Sequence, residues 1–263
     1  MRWLCIVRYA AWILVALLAL AACRAAVTAP VEVSLGDGLS VRAYPDTRPH
    51  NLKLSAVHKG LVLVDRGEEL IAEGFGFGLP IVMYGRMSYL SQEATLRVTS
   101  GPDETTIVKG FGIDSLDRTQ QGAARFDRVS SLGTVVITYV VAGPRITVTA
   151  DFGGLRPFDF DQFYVTAEQG STFFTQYRDS DGRQLSCEDI GPWQAITATT
   201  ACFSAPAQDV EFCVLSDAGV RKYFGQERVS IVDWAGVDAE LPPETLRYTS
   251  VITIGRLSGE TEP

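Results

Sequence analysis

Four short turn signals constrain this chain more than any other feature. Asp65-Arg66-Gly67-Glu68, Ser100-Gly101-Pro102-Asp103, Ala142-Gly143-Pro144-Arg145 and Asp179-Ser180-Asp181-Gly182 each sit between two strand-like runs. Glycine and proline supply the φ values a reversal needs, and so few intervening residues force the flanking runs to pair antiparallel. The runs themselves, residues 31–35, 61–64, 96–99, 134–141, 146–149 and 251–254, are short, β-branched and often alternating. A period of two is the signature of a strand with one face in a core. Only 217–224 has a helical look: Asp217 can cap it, Val220 and Phe224 share a face, and Gly225 suits the left-handed position after the last turn. No βαβ alternation, internal repeat or long linker interrupts the pattern. Roughly fifteen strands cannot stay in one flat sheet, so the sequence predicts a single all-β domain over 31–256, a large antiparallel β-sandwich, with a polar tail at 257–263.

The stretch Gly74-Phe75-Gly76-Phe77-Gly78-Leu79-Pro80 alternates bare backbone with rings. Read as a strand, it places the glycines on one face and the phenylalanines on the other. The expectation is a curved central strand with both rings in the core and Pro80 ending the ladder. The alternative makes the rings, with Tyr84 and Tyr89, a platform for a sugar or another flat ligand. A nucleotide loop is excluded, because the glycine spacing is wrong and no helix follows.

Residues 1–22 carry Arg2 and Arg8 ahead of an uncharged run from Tyr9 to Ala22, the layout of a secretory signal peptide. The segment Leu20-Ala21-Ala22-Cys23 resembles the bacterial lipobox. That resemblance implies a diacylglycerol on the Cys23 thiol, cleavage before it, and an extracytoplasmic protein of the cell envelope held to its membrane partner by lipid, with residues 23–30 as tether. Ordinary cleavage after Ala19-Leu20-Ala21, or an uncut anchor over 3–22, are the alternatives, and Arg8 counts against the anchor. All three export the body of the chain.

Acidic residues outnumber basic ones, 31 to 23, for a net charge of −8. No basic patch is visible, so nucleic acid is not an expected partner, and an anionic membrane surface would repel the protein; the lipid must hold it. Export favours a disulfide. Cys187 and Cys202, which enclose Gly191-Pro192-Trp193, are the expected pair, and Cys213, in an apolar run, is expected to act as a small core residue; spacing alone does not fix the connectivity.

Catalytic chemistry is sparse. Past the leader, His50 and His58 are the only histidines, and neither lies in a zinc-protease motif; nucleophile elbows and Walker-type loops are also missing. His58-Lys59-Gly60 reads as an exposed turn. Carboxylates concentrate between Asp151 and Asp189, which raises Ca²⁺ as a possible ligand. Asp179-Ser180-Asp181-Gly182 with Glu188 mimics the later part of a calcium loop, but Tyr177 stands where the first carboxylate belongs, so the segment reads as a hairpin tip and no metal or cofactor is expected. Residues 158–164 alternate rings with carboxylates, as a half-buried strand or a binding edge. Trp193 and Trp234, both read as loop residues, either plug the end of the sandwich or face a ligand. The candidate ligand-binding residues are Tyr84, Tyr89, Phe160, Asp161, Trp193 and Trp234.

In strand count and class the body is similar to the galactose-mutarotase-like supersandwich of carbohydrate-active proteins, which implies a carbohydrate ligand. Enzymes of that type use well-separated histidines with a carboxylate, whereas His50 and His58 crowd together. The expectation is therefore a carbohydrate-binding module, with a carboxylate-pair enzyme or a structural interaction module as alternatives.

Overall fold

The computed structural model describes residues 27–46, 58–71, 75–85, 87–89, 91, 93–116, 128–189, 194–216, 221–227 and 234–257. The signal segment, Cys23, His50, Gly74, Trp193, Asp217 and the tail from residue 258 lie outside the described residues.

The strands fall into three antiparallel sheets. A small one, in order β1-β2-β3-β4, uses β1 (Val31–Gly36), β2 (Leu39–Ala43), β3 (Val62–Asp65) and β4 (Glu68–Glu69). A six-stranded sheet draws on β5 (Phe77–Tyr84), β6 (Met87–Tyr89), β11 (Gln162–Gln169), β14 (Gln194–Ile196), β17 (Arg221–Glu227) and β18 (Trp234–Leu241). Its order is β14-β17-β18-β11-β5-β6. A nine-stranded sheet contains β7 (Glu93–Ser100), β8 (Thr105–Leu116), β9 (Arg128–Ala142) and β10 (Arg145–Asp151). Its other members are β12 (Gln176–Asp179), β13 (Gln184–Ser186), β15 (Thr200–Ala205), β16 (Val210–Ser216) and β19 (Arg247–Arg256). They run β13-β12-β15-β16-β19-β10-β9-β8-β7. Only two single-turn 3-10 helices, Cys187–Asp189 and Pro206–Gln208, interrupt the β structure of the described residues.

The four predicted turns join β3 to β4, β7 to β8, β9 to β10 and β12 to β13, and every run named from the sequence lies in a strand except for Leu61, which forms an isolated bridge just before β3. The two large sheets face each other across one core. Alternation in β10 sends Ile146, Val148 and Ala150 inward, where burying each of the two larger side chains contributes about 2 kcal/mol. Phe77 meets Phe212 edge-on at 5.2 Å, Phe152 stacks on Phe163 at 4.5 Å, and the Tyr139 hydroxyl donates to the Phe77 carbonyl at 3.0 Å. Each of these contacts crosses from the nine-stranded sheet, or the segment leaving it, to the six-stranded one. The small sheet is tied in by Gln169, whose Oε1 accepts from Leu63 N at 3.1 Å, and by Arg256, whose guanidinium donates to Asp65 Oδ1 at 2.6 Å and the Asp37 carbonyl at 2.7 Å.

The glycine stretch is partly a core strand. Phe77 is fully buried and Phe75 packs half-buried against the core. Gly76 and Gly78, however, have φ of +79° and +80°, so the backbone here is not a regular strand and no other residue enters it without strain. Pro80 does not end the ladder: it pairs with Val165 inside β5. It is tolerated because β6 pairs only with residues 82–84, leaving one side of β5 without a ladder at that point.

Three further expectations are corrected. Residues 221–227 form β17, between β14 and β18, where the sequence suggests a helix; sheet pairing overrides a two-turn helical pattern. The disulfide joins Cys202 to Cys213, not to Cys187, which is buried and outside the disulfide. The reason is register, since Cys202 and Cys213 are directly opposed in the β15–β16 hairpin. His58 and Lys59 are buried instead of forming an exposed turn. Gly60 brings this segment against β5 so closely that a Cβ would fall 1.9 Å from the Phe77 carbonyl oxygen, and Leu61 bridges to Phe77.

Candidate functional site

The six-stranded sheet gathers aromatic rings where β5 ends and β11 begins. Backbone pairing of Gln162 with Met83, and the Asp161 N–H donating to the Met83 carbonyl at 2.9 Å, dock residues 158–161 beside Tyr84. The Tyr84 and Phe158 rings lie 4.5 Å apart, Phe158 and Phe160 5.4 Å, and Tyr84 and Tyr89 6.1 Å. Tyr89 is buried, Tyr84 and Phe160 are half-buried against the core, and Phe158 is 40% exposed. Asp159 and Asp161 flank the rings in solvent. Exposed ring faces attract the C–H faces of a sugar, and carboxylates accept its hydroxyls.

Four residues expected to bind ligand, Tyr84, Tyr89, Phe160 and Asp161, thus come together. Phe158, in the same alternating segment, belongs with them and is the most exposed of the rings. Trp234 does not join: it is 2% exposed, at the start of β18, where Ala235 pairs with Gln169 at the far end of β11. It is a strand residue and fills space, contrary to the loop reading. Trp193 lies outside the described residues. The Asp179–Gly182 segment is the β12–β13 turn, with Asp179 Oδ1 accepting from the N–H groups of Asp181 and Arg183 at 3.0 Å.

The same sheet holds a second unusual group that the sequence did not disclose. On the face opposite the core residues Val165, Ala167 and Val237, Thr166 opposes Asp238 and Glu168 opposes Gly236, which sets Glu168 diagonal to Asp238. Gly236 is required there, because a Cβ would lie 2.2 Å from the Ala167 carbonyl oxygen. Glu168 and Asp238 are both buried, and apart from the hydrogen bond between the two acids neither carboxylate oxygen of Asp238 meets a donor among the described residues. Burial pushes the Glu168 carboxyl up to about 7; the Phe75 N–H donating to its Oε2 at 2.9 Å, the neighbouring Asp238 and the Lys59 charge hold it back. Burial first, then repulsion from Glu168, raises Asp238 well above the usual carboxylate range. Two acids so placed share a proton, one acting as donor to the other. Beside them Gln162 Nε2 donates to Glu240 Oε1, and the Tyr164 hydroxyl to Gln162 Oε1 at 3.1 Å.

Comparison by sequence finds no matching protein-family model and no matching curated protein. Solved structures do overlap with the fold. The α-N-acetylgalactosaminidase of Bifidobacterium bifidum in complex with GalNAc gives a TM-score of 0.53 at 7% identity, over 86% of this chain and 36% of that one. Its ligand-free form gives 0.50 with the same coverage, so the chain spans 36% of that enzyme's length. A galactose mutarotase-like protein from Clostridium acetobutylicum overlaps more loosely, with a TM-score of 0.42 at 8% identity over 83% and 93% of the two chains, and carries no argument. At these identities the overlap shows a shared all-β fold and nothing about activity.

Proposed function

We propose that this protein is an exported, lipid-anchored carbohydrate-binding protein of the bacterial cell envelope. Sugar rings stack on the patch of Tyr84, Phe158 and Phe160, and Asp159 and Asp161 take up their hydroxyls. One observation carries the reading: Phe158 stays 40% exposed while packed against two other rings and flanked by the exposed Asp159 and Asp161. A ring held this way loses little freedom when a ligand covers it. The fold shared with an enzyme solved as a GalNAc complex supports the ligand class, and the lipobox-like Leu20-Ala21-Ala22-Cys23 supports the anchor. The test is retention of the full chain, in detergent micelles, on immobilised neutral, acidic and amino-sugar oligosaccharides. Phe158→Ala is expected to weaken retention at least ten-fold. A blank array refutes the ligand class, and undiminished retention of the variant refutes the patch.

A second reading, a carbohydrate-processing enzyme, is favoured by the Glu168–Asp238 pair alone, since a protonated acid beside an ionised one is the equipment of general acid–base catalysis. Its test is turnover of reducing sugars and glycosides by the full chain, with Glu168→Gln expected to abolish it.

A further inference from the structure

The outer face of the nine-stranded sheet carries a cleft of about 1040 Å³, at the end formed by β13, β12, β15 and β16. Core alternation explains its polarity. Tyr177, Phe203 and Phe212 point inward and are buried, so their neighbours Gln176, Arg178, Ser204 and Glu211 point out. Register aligns these into two rows across the strands: Ser186, Gln176, Ser204 and Glu211 in one, Gln184, Arg178, Cys202 and Cys213 in the other. Successive members of a row are about 4.8 Å apart, close to the repeat of a pyranose chain.

We infer that this cleft is a second binding site, built for an uncharged, hydroxyl-rich ligand such as a segment of neutral oligosaccharide. Among the residues lining it, Arg178 and Glu211 alone carry charge, and each neutralises the other: Arg178 Nε donates to Glu211 Oε2 at 2.8 Å and Nη2 to Oε1 at 2.5 Å. Ser204 Oγ adds a third bond to Oε2 at 2.9 Å. An anion entering the cleft meets the Glu211 carboxylate, and a cation meets Arg178. A hydroxyl, being both donor and acceptor, suits both partners. Two of the five guanidinium N–H groups are used by Glu211, leaving others for ligand oxygens, and the exposed carboxamides of Gln176 and Gln184 each offer a donor and an acceptor. The Cys202–Cys213 bond fastens β15 to β16 beside Ser204 and Glu211, so the polar floor is fixed before a ligand arrives.

The carbohydrate class rests on the function proposed above, but the location is independent of it. The aromatic patch lies on β5, β6 and the start of β11, and β6 packs over β8, towards the opposite lateral end of the sandwich from β12 and β13. One sugar cannot touch both sites. Two sites on one anchored body engage two stretches of a long glycan, and the second engagement is strengthened by the first.

The experiment uses the full chain in detergent micelles, with cellohexaose, maltohexaose and chitin hexamer as neutral probes, and hexagalacturonate and a glucosamine hexamer as charged ones. Gln176→Ala with Gln184→Ala is expected to weaken retention on a neutral probe at least ten-fold without moving the thermal midpoint. Ser186→Lys, a second exposed change, is expected to shift preference towards hexagalacturonate. Retention of charged probes only, or of no neutral probe, overturns the inference, as does neutral retention untouched by the double variant. If Phe158→Ala has no effect while the double variant does, the patch fails and the cleft stands; the reverse result removes the cleft and leaves the patch.

Discussion

Replacing Asp238 by Asn tests the shared proton directly. Glu168 has an ordinary value of 4.5 and rises to about 7 in the folded protein. A folded value above the unfolded one means that stability is fully present below pH 4.5 and is lost as pH climbs through about 7, after which the deficit is constant. A shift of that size corresponds to about 3 kcal/mol, or roughly 6 to 12 °C in Tm for a domain of this size. The groups facing the pair all enter the account: the Phe75 N–H, Asp238 as a donor and the Lys59 charge favour ionised Glu168, and Glu168 opposes ionised Asp238. An Asn amide supplies the N–H donor that the proton now provides and removes the second acid. At pH 5 the variant is therefore expected to lie close to the parent, and at pH 8 to exceed it, because it lacks the raised Asp238 acid; the burial cost on Glu168 is common to both proteins and cancels. Urea midpoints of both proteins at the two pH values decide the matter, because every other carboxylate cancels in the comparison. Parallel pH slopes, or a variant equally destabilised at both values, refute the shared proton.

Gly78→Ala is expected to cost on the order of 2 to 4 kcal/mol, since φ is +80° and the new Cβ would lie 2.7 Å from the Tyr139 ring; chemical denaturation measures it. Alkylation of the unreduced, denatured protein followed by mass mapping is expected to label Cys187 and spare Cys202 and Cys213. Reduction should then lower stability by about 3 kcal/mol, the value for so short a closed loop. Cys23→Ser is expected to release the protein from the membrane fraction, whereas high salt leaves the parent bound; a variant that still sediments refutes the lipid anchor.

The hairpins were legible because their information is local: a Gly or Pro within four residues dictates both the reversal and the partner. The aromatic patch was legible for a related reason, since 158–164 announces its alternation and Tyr84 lies just before a turn. What failed was non-local. The helix read into 217–224 came from two turns of pattern, while the pairing of β17 with β18 depends on residues seven and more positions away. The disulfide was recoverable in principle: Ala205 opposes Val210 across the Pro206–Gln208 turn, and counting outward by threes reaches Cys202 and Cys213. Asp238 was overlooked because it stands alone in Trp234-Ala235-Gly236-Val237-Asp238-Ala239, although one acid in so apolar and small a run is itself the signal. His58 and Lys59 misled because charge suggests solvent, whereas contact with β5 is set by Gly60.

Strand β19 lies between β16 and β10, with seven residue pairs on each side. Until residues 247–256 have been synthesised, the largest sheet is two unconnected halves, each showing a raw edge. The nine-stranded sheet is thus completed only when its last strand pairs on both sides. Before that strand pairs, the facing edges of β10 and β16 expose unpaired backbone groups, the feature that makes a sheet edge prone to aggregation.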